Sequence, residues 1–310
     1  MSKPYHTYHD LLVVLGPTAT GKTKLAVKLA DKLNGEVISA DSRQVYRGMD
    51  IGTGKDLSEY KMKRKIIPSH LIDIADPLQE YSVFQFQQDF QKIFSDIKKR
   101  QKLPILCGGT GFYIKAVLMD FHLPAVAPDK KIRQKLENWA MEDLIFELES
   151  LAPDVPKTSL DTKRRVIRAI EVEMNRGKDA NHKINRNLQL KIHKPIVLGI
   201  EYPRGVIRER ITERLHERLN QGLIEEVEEL LAKGITHERL ERFGLEYRFI
   251  SNYLEGKLSR EEMIEKLKTA IHQFAKRQMT FFRNIEKNGI RIRWIPEGNL
   301  KYALDLIRLK

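Results

Sequence analysis

The run Leu11-Leu12-Val13-Val14-Leu15-Gly16-Pro17-Thr18-Ala19-Thr20-Gly21-Lys22-Thr23 sets the architecture of this chain. Its five apolar residues read as a buried parallel strand, and the next eight spell the phosphate-loop pattern G-x-x-x-x-G-K-[ST]. Behind them Leu25, Ala26, Leu29, Ala30 and Leu33 recur at helical spacing. Strand, glycine turn and helix together aim several backbone N–H groups and a helix N-terminus at one anion. Gly16, Pro17, Thr18, Ala19, Thr20, Gly21, Lys22 and Thr23 are therefore expected to hold a diphosphate, Lys22 supplying a point charge and the Thr23 hydroxyl a ligand for Mg²⁺. The loop leaves open what the phosphates are attached to, since a nucleoside triphosphate and a prenyl diphosphate offer it much the same group.

Beyond the loop, Glu36 to Ala40 reads as a second strand ending at Asp41-Ser42, and Leu103 to Cys107 as a third ending at Gly108-Gly109-Thr110-Gly111. Ile196 to Ile200 and Ile290 to Ile295 come as later strands, with helices between. This alternation predicts an α/β, P-loop NTPase-like fold, a mainly parallel sheet with helices on both faces. Ligands of such sheets bind beyond the carboxyl ends of the strands, so the loop, Asp41 and the Gly108 to Gly111 turn are expected at one rim. At that rim Asp41 could hold Mg²⁺ through water, act as a general base, or cap the following turn. Between residues 123 and 195 the strand rhythm stops. The segment opens with Pro-Ala-Val-Ala-Pro, reads as helices over Ile132 to Glu149 and Thr162 to Asn175, and closes on polar residues Arg176 to Asn187. It is expected to be a helical insertion into a core made of residues 1–122 and 196–310. Two long helical patterns, Arg204 to Lys233 and Ser259 to Glu286, then pack back on the core.

The chain has 310 residues, 41% of them hydrophobic, which suits a full α/β domain plus a smaller unit. Nothing reads as a membrane span or a secretory signal, and a single cysteine, Cys107, excludes an internal disulfide. A reducing cytoplasm is the expected compartment, with Cys107 as a small buried hydrophobe and not a nucleophile. The formal net charge of +13 exceeds what a small-metabolite enzyme needs and suits a polyanion. Its location sharpens that reading. Lys163-Arg164-Arg165 with Arg168 form a basic cluster on the insertion, and Lys276-Arg277-Gln278-Met279-Thr280-Phe281-Phe282-Arg283 mixes guanidinium, amide and aromatic groups in a way that suits unpaired bases. The bland alternative is a basic surface helix whose aromatics belong to the core. Arg210, Arg214 and Arg218 form a further stripe, beside which Glu213 and Glu217 are available as partners.

These residues resemble the tRNA dimethylallyltransferases, P-loop enzymes that prenylate the adenine beside the anticodon. Matching segments are GPTATGKT at 16–23, DSRQVYRGMDIGTGK at 41–55, HLID at 70–73, YSVFQF at 81–86, GGTGFY at 108–113, RRVIRAIEV at 164–172, RERITERLHERLNQGLIEEV at 208–227 and AKRQMTFFR at 275–283. The resemblance implies that dimethylallyl diphosphate binds at Thr18, Lys22 and Thr23 with Mg²⁺, and that Asp41 takes a proton from N6 of adenine 37. It implies that Arg214 stabilises charge on the departing pyrophosphate and that the target adenine leaves its stack. For the tRNA anticodon stem-loop it implies contacts from Asp41, Ser42, Arg43, Gln44, Thr110, Arg133, Arg164, Arg165, Arg168, Arg242, Arg248, Lys276, Arg277, Gln278 and Arg283. The chain is expected to act as a monomer without a membrane partner.

The chain departs from the family pattern in three places. The usual G-Y-R reads Glu246-Tyr247-Arg248, G-T-A-K-P reads Gly52-Thr53-Gly54-Lys55-Asp56, and D-P-Q-R gives way to Asp161-Thr162-Lys163-Arg164-Arg165. Glu246 brings bulk and negative charge to a place where phosphate is expected. Three other readings remain. A P-loop small-molecule kinase does not explain two basic, aromatic-interleaved surfaces. A nucleic-acid-stimulated NTPase places an acid after an apolar strand, where this chain has Gly108-Gly109-Thr110-Gly111. Prenylation of free adenine nucleotides leaves the net charge without a purpose.

Overall fold

Six parallel strands form the central sheet of the computed structural model, which describes residues 7–62, 65–119, 126, 129–154, 160–175 and 192–308. In chain order these are β1 (Leu11–Leu15), β2 (Gly35–Ser39), β5 (Ser69–His70), β6 (Leu103–Gly108), β7 (Pro195–Glu201) and β8 (Ile292–Pro296), while β3 (Lys61–Met62) and β4 (Lys65–Ile66) make a separate two-stranded ribbon. Spatial order across the sheet is β5-β2-β6-β1-β7-β8. The register sets Leu15 beside Gly108 and Ser39 beside Cys107. The carboxyl ends of β1, β2 and β6 therefore finish at one level, and the loops leaving these strands share one rim.

Strand alternation sorts the core. Leu12 and Val14 face one side, packed on Leu25, Ala26 and Leu29 of α1 (Lys22–Leu33) and on Ala303 and Ile307 of α12 (Leu300–Arg308). Leu11, Val13 and Leu15 face the other, against Phe86, Phe90 and Phe94 of α2 (Val83–Lys99), Tyr113 and Ile114 of α3 (Gly111–Leu118), and Phe282 and Ile285 of α11 (Arg260–Lys287). Helices thus cover both faces, as the alternating pattern predicts. A helical lobe joins α7 (Arg204–Asn220), α8 (Leu223–Ala232), α9 (His237–Glu241) and α10 (Leu245–Leu254) to α11 around Leu215, Val227, Tyr247 and Leu267. Ser259 caps α11 in a reciprocal capping box with Glu262, which explains why the helix starts where the pattern places it.

Contacts divide the chain into one unit of Met1–Phe121 with Leu190–Lys310 and a second of His122–Gln189. The second is built on α4 (Lys130–Glu137), α5 (Met141–Leu151) and α6 (Lys163–Met174), with Leu136, Leu144, Leu148, Val166, Ile167 and Ile170 as its core. The polar stretch 176–187 and most of Pro-Ala-Val-Ala-Pro lie outside the described residues. Among the described residues no helix is long and apolar enough to cross a membrane.

Two stretches that read as single helices are each two helices. Ile132 to Glu149 breaks at Asn138, Trp139 and Ala140, where Ala140 takes extended angles as the N-cap of α5. Arg204 to Lys233 breaks at Gln221-Gly222, with Gly222 at φ 97°, a left-handed conformation that lets the chain turn from α7 into α8. Hydrophobic period alone carries across both breaks because the apolar stripe resumes in phase. The edge strand β5 has no counterpart in the sequence pattern: two residues are too few to show a period.

Candidate active site

The rim carries one cavity of about 730 Å³, walled by the phosphate loop, Asp41 to Gln44, Gly52 to Gly54, Gly108 to Phe112, α7, and the α11 residues Phe274, Arg277, Gln278 and Phe281. Segments far apart in sequence meet here because β1, β2 and β6 end together. Ala40 donates its N–H to the Cys107 carbonyl at 2.7 Å and Thr110 donates to the Ala40 carbonyl at 3.2 Å, joining the β2 and β6 ends.

Within the loop, Gly21 is the N-cap of α1, and Thr20 Oγ1 donates to the Pro17 carbonyl at 2.8 Å. Lys22 Nζ donates to the same carbonyl at 2.7 Å, and its burial draws the ammonium pKa down to about 8. Arg214 donates from Nη2 to Thr18 Oγ1 at 3.1 Å, and burial, reinforced by neighbouring Arg218, draws its pKa down to about 10. Arg210 donates to the Ala19 carbonyl at 2.8 Å and lies 4.9 Å from the Tyr202 ring centre. Arg210 and Arg214 of the α7 stripe therefore face the loop, and among the described residues neither Glu213 nor Glu217 forms an ion pair with them.

Asp41 Oδ1 accepts the Arg43 backbone N–H at 2.9 Å, so the turn-capping role weighed from sequence is real. That bond holds the carboxylate in place at the cavity wall and leaves Oδ2 without a hydrogen bond among the described residues. Burial lowers the Arg43 pKa, opposed by the nearby Asp41 carboxylate. Thr110 Oγ1 accepts the Ser42 N–H at 3.0 Å. Cys107 is buried with its thiol pushed up to about 12, which fits a core residue and excludes a ready nucleophile.

The segment 41–55 is held by buried polar groups. Glu226 accepts the backbone N–H groups of Asp50, Ile51 and Gly52 at 2.7, 2.6 and 3.0 Å and the Tyr247 hydroxyl at 2.8 Å. Lys55 is buried between Asp50 and Asp73. Gln44 receives Ser39 Oγ at 3.1 Å and donates to the Gly54 carbonyl at 2.9 Å. Glu226 and Lys55 escape a sequence reading because nothing in their own neighbourhood shows that a distant loop supplies their partners.

The structure gives several expected tRNA contacts other work. Gln278 is buried: its Oε1 accepts the Thr18 N–H at 2.9 Å and its Nε2 donates to the Gly109 carbonyl at 2.9 Å, so its amide ties α11 to the loop and is not open to a base edge. Gln44 is likewise engaged. Phe282 is a core residue, and Phe281 lies against Gly111. Arg133 and Arg168 both turn onto buried Glu171, at 3.0 and 2.5 Å. Arg283 bonds Glu286 at 3.0 Å and Glu201 at 3.3 Å and covers the Trp294 ring. Arg165 pairs with Asp161 at 2.7 Å and Arg242 with Glu238 at 2.5 Å, while Arg248 lies 4.9 Å from the Phe249 ring centre. Arg164, Lys276 and Arg277 are exposed.

A protein-family model described as IPP transferase matches residues 44–285. Among curated proteins, tRNA dimethylallyltransferase 1 of Geotalea uraniireducens is 48% identical over 305 residues, 97% of this chain and 97% of that protein. The protein of the same name from Parabacteroides distasonis is 48% identical over 293 residues, 93% of this chain and 92% of its own length. Among solved structures, the full-length tRNA isopentenylpyrophosphate transferase of Bacillus halodurans superposes with a TM-score of 0.66 at 34% identity, covering 96% of this chain and 94% of that one. A eukaryotic dimethylallyltransferase acting on tRNA gives a TM-score of 0.76 at 27% identity, covering 94% of this chain and 74% of its own.

Proposed function

The chain belongs to the IPP transferase family, and on that basis we propose how its cavity moves a dimethylallyl group onto tRNA. The protein is a transferase and tRNA is its acceptor. The donor we assign is dimethylallyl diphosphate, with its diphosphate in the loop Gly16 to Thr23, and the acceptor atom is N6 of adenine 37 in the anticodon stem-loop. The observation that carries this reading is the meeting of loop, Asp41 and Arg214 at a single cavity.

The loop's backbone N–H groups and the N-terminus of α1 face the diphosphate, and Lys22 and Arg214 add cationic donors. Lys22 then exchanges its bond to the Pro17 carbonyl for a phosphate oxygen. Asp41 stands at the cavity wall with its position fixed by the Arg43 N–H. As the adenine N6 lone pair attacks C1 of the dimethylallyl group, the C1–O bond to the diphosphate breaks and the N6 proton passes to the Asp41 carboxylate. Pyrophosphate leaves with the electron pair, its growing charge met by Arg214, Lys22 and the loop. Burial of these groups in the cavity strengthens each interaction relative to water.

For Mg²⁺ the donor set fits a hard, mostly hydrated ion. Among the described residues no three His, Cys, Asp or Glu side chains form a metal cage, and Thr23 offers a hydroxyl at the cavity wall beside the diphosphate position. When bound, the ion supplies further charge neutralisation on the leaving group. For tRNA, exposed Arg164 on the insertion and Lys276 and Arg277 on α11 are the phosphate contacts this reading retains.

Unmodified tRNA and, separately, AMP incubated with labelled dimethylallyl diphosphate and Mg²⁺ test the assignment. Label is expected in tRNA alone. Label in AMP alone would make the acceptor a free nucleotide, and ATP turnover with no label in either would point to a kinase.

A further inference from the structure

The short helical turn Leu57–Tyr60 follows directly on the departure Gly52-Thr53-Gly54-Lys55-Asp56 and packs against α1, the helix that begins in the phosphate loop. Tyr60 ends that turn. It is only 6% exposed and belongs to the core cluster that holds Leu25, Ile105 and Cys107, yet it also lines the cavity of about 730 Å³ together with Lys22, Thr23 and Cys107. Its ring is core, and its polar end belongs to the cavity. Among the described residues the hydroxyl has no hydrogen-bond partner, and it is not sealed from solvent. A phenol so deeply placed ordinarily finds a partner. Burial pushes its pKa well up, and Cys107, Glu59 and Asp41 push in the same sense, so the group stays a neutral O–H donor.

We propose that Tyr60 is a diphosphate-binding residue, its hydroxyl donating to a phosphate oxygen of the isoprenoid donor held by the loop Gly16 to Thr23. The proposal rests on the donor assigned above and extends it to a residue outside the phosphate loop. Three observations support it. Tyr60 opens on the same large cavity as the loop, which has ample room for a diphosphate. Lys22 and Tyr60 share Cys107, Asp41 and Glu59 as electrostatic neighbours, so the ammonium and the phenol border the same part of that cavity. Asp56 and Glu59 flank Tyr60 on this wall, and ionised carboxylates only accept hydrogen bonds. A phosphate oxygen approaching the wall therefore needs a donor, and the phenol supplies one without a charge of its own. Cys107 beside it is buried, which makes this the inner wall and sets it apart from the exposed cations kept for the tRNA backbone.

Calorimetric titration with inorganic pyrophosphate and Mg²⁺, alongside tRNA binding, thermal melting and the pH profile of single-turnover transfer, tests Tyr60→Phe against wild type. The variant keeps the ring in the core and removes the hydroxyl alone. It is expected to weaken pyrophosphate binding about tenfold, as the loss of one hydrogen bond to a charged group predicts. Its tRNA affinity and the shape of its pH profile should match wild type. Its melting temperature should not fall, because the hydroxyl that is lost has no protein partner in the free enzyme. Unchanged pyrophosphate affinity would overturn the assignment. With a lower melting temperature, that result would make the hydroxyl a structural group; with a shifted pH profile, it would make Tyr60 a positioning residue for Asp41. A loss confined to tRNA affinity would overturn it as well. The calorimetry needs no prenyl transfer, so a wild type that binds pyrophosphate but labels no tRNA would refute the function proposed above and leave Tyr60 judged on its own data.

Discussion

In the helical insertion Arg133 and Arg168 both close on Glu171, which is fully buried and also accepts the Asp129 N–H. On α7, Arg214 donates to Thr18 at the phosphate loop, while Arg218 keeps a buried guanidinium nitrogen with no hydrogen-bond partner among the described residues. Both pairs lie in basic stretches that resemble substrate contacts. The difference is the acid beside them. Glu171 takes bonds from two arginines and holds the insertion's helices together, whereas Glu246 reaches Arg218 through one nitrogen only. A guanidinium becomes a binding group where the fold leaves donors over, and a scaffold where it does not.

The largest effect on the binding side of this contrast belongs to the carboxylate that shares the cavity with the arginines. Asp41→Ala should cut prenyl transfer by about 10²–10⁴-fold, the range for a positioned general base, while tRNA binding persists; single-turnover kinetics with pre-bound tRNA would read it. Unchanged turnover would leave Asp41 as a turn cap. Next, Arg214→Ala should slow transfer by about 10²–10³-fold, as removal of one donor to a developing charge does, with little change in melting temperature. A loss seen in tRNA affinity alone would mean that Arg214 serves the wrong substrate.

The insertion should respond in the opposite sense. Glu171→Gln leaves two arginines facing an uncharged amide, and melting should show a loss near the lower end of the about 3–5 kcal/mol typical of a broken buried ion pair, since both arginines are partly exposed. Burial alone would raise the Glu171 pKa, but the bonds from Arg133 and Arg168 outweigh it and hold the carboxyl below its ordinary value. Its contribution is therefore complete above the ordinary glutamate range and is lost as pH falls through that range towards the depressed value. The variant should melt with a flatter acid limb; an acid limb identical to wild type would mean that Glu171 is no clamp. The smallest effect belongs to the exposed cations. Charge reversal at Lys276 and Arg277 should weaken tRNA binding and lower its salt slope by about one for each phosphate no longer neutralised. Equal slopes in variant and wild type would make this face mere surface.

Much of this is legible from residues alone. The phosphate loop announces itself because strand, turn and helix are contiguous, and Asp41 and Gly108 to Gly111 can be placed beside it because parallel strands end at a common rim. The start of α11 is readable from Ser259 and Glu262 for the same local reason. The features that escape depend on partners distant in the chain. Gln278 has the side chain of a base reader, yet Thr18 and Gly109 engage its amide across the core. Arg133 and Arg168 look like surface cations until Glu171 is found between them. Glu226 shows no local sign that it anchors residues 50–52, nor Glu246 that Arg218 lies behind it.

The decisive measurement is nucleoside mass analysis of tRNA after incubation with dimethylallyl diphosphate, with wild type and Asp41→Ala run side by side. One added five-carbon unit on adenosine 37 is expected with wild type, pyrophosphate released in equal amount, and neither with the variant. Modified adenosine 37 formed equally by both proteins, or pyrophosphate released while the tRNA stays unaltered, would contradict a transfer that depends on Asp41.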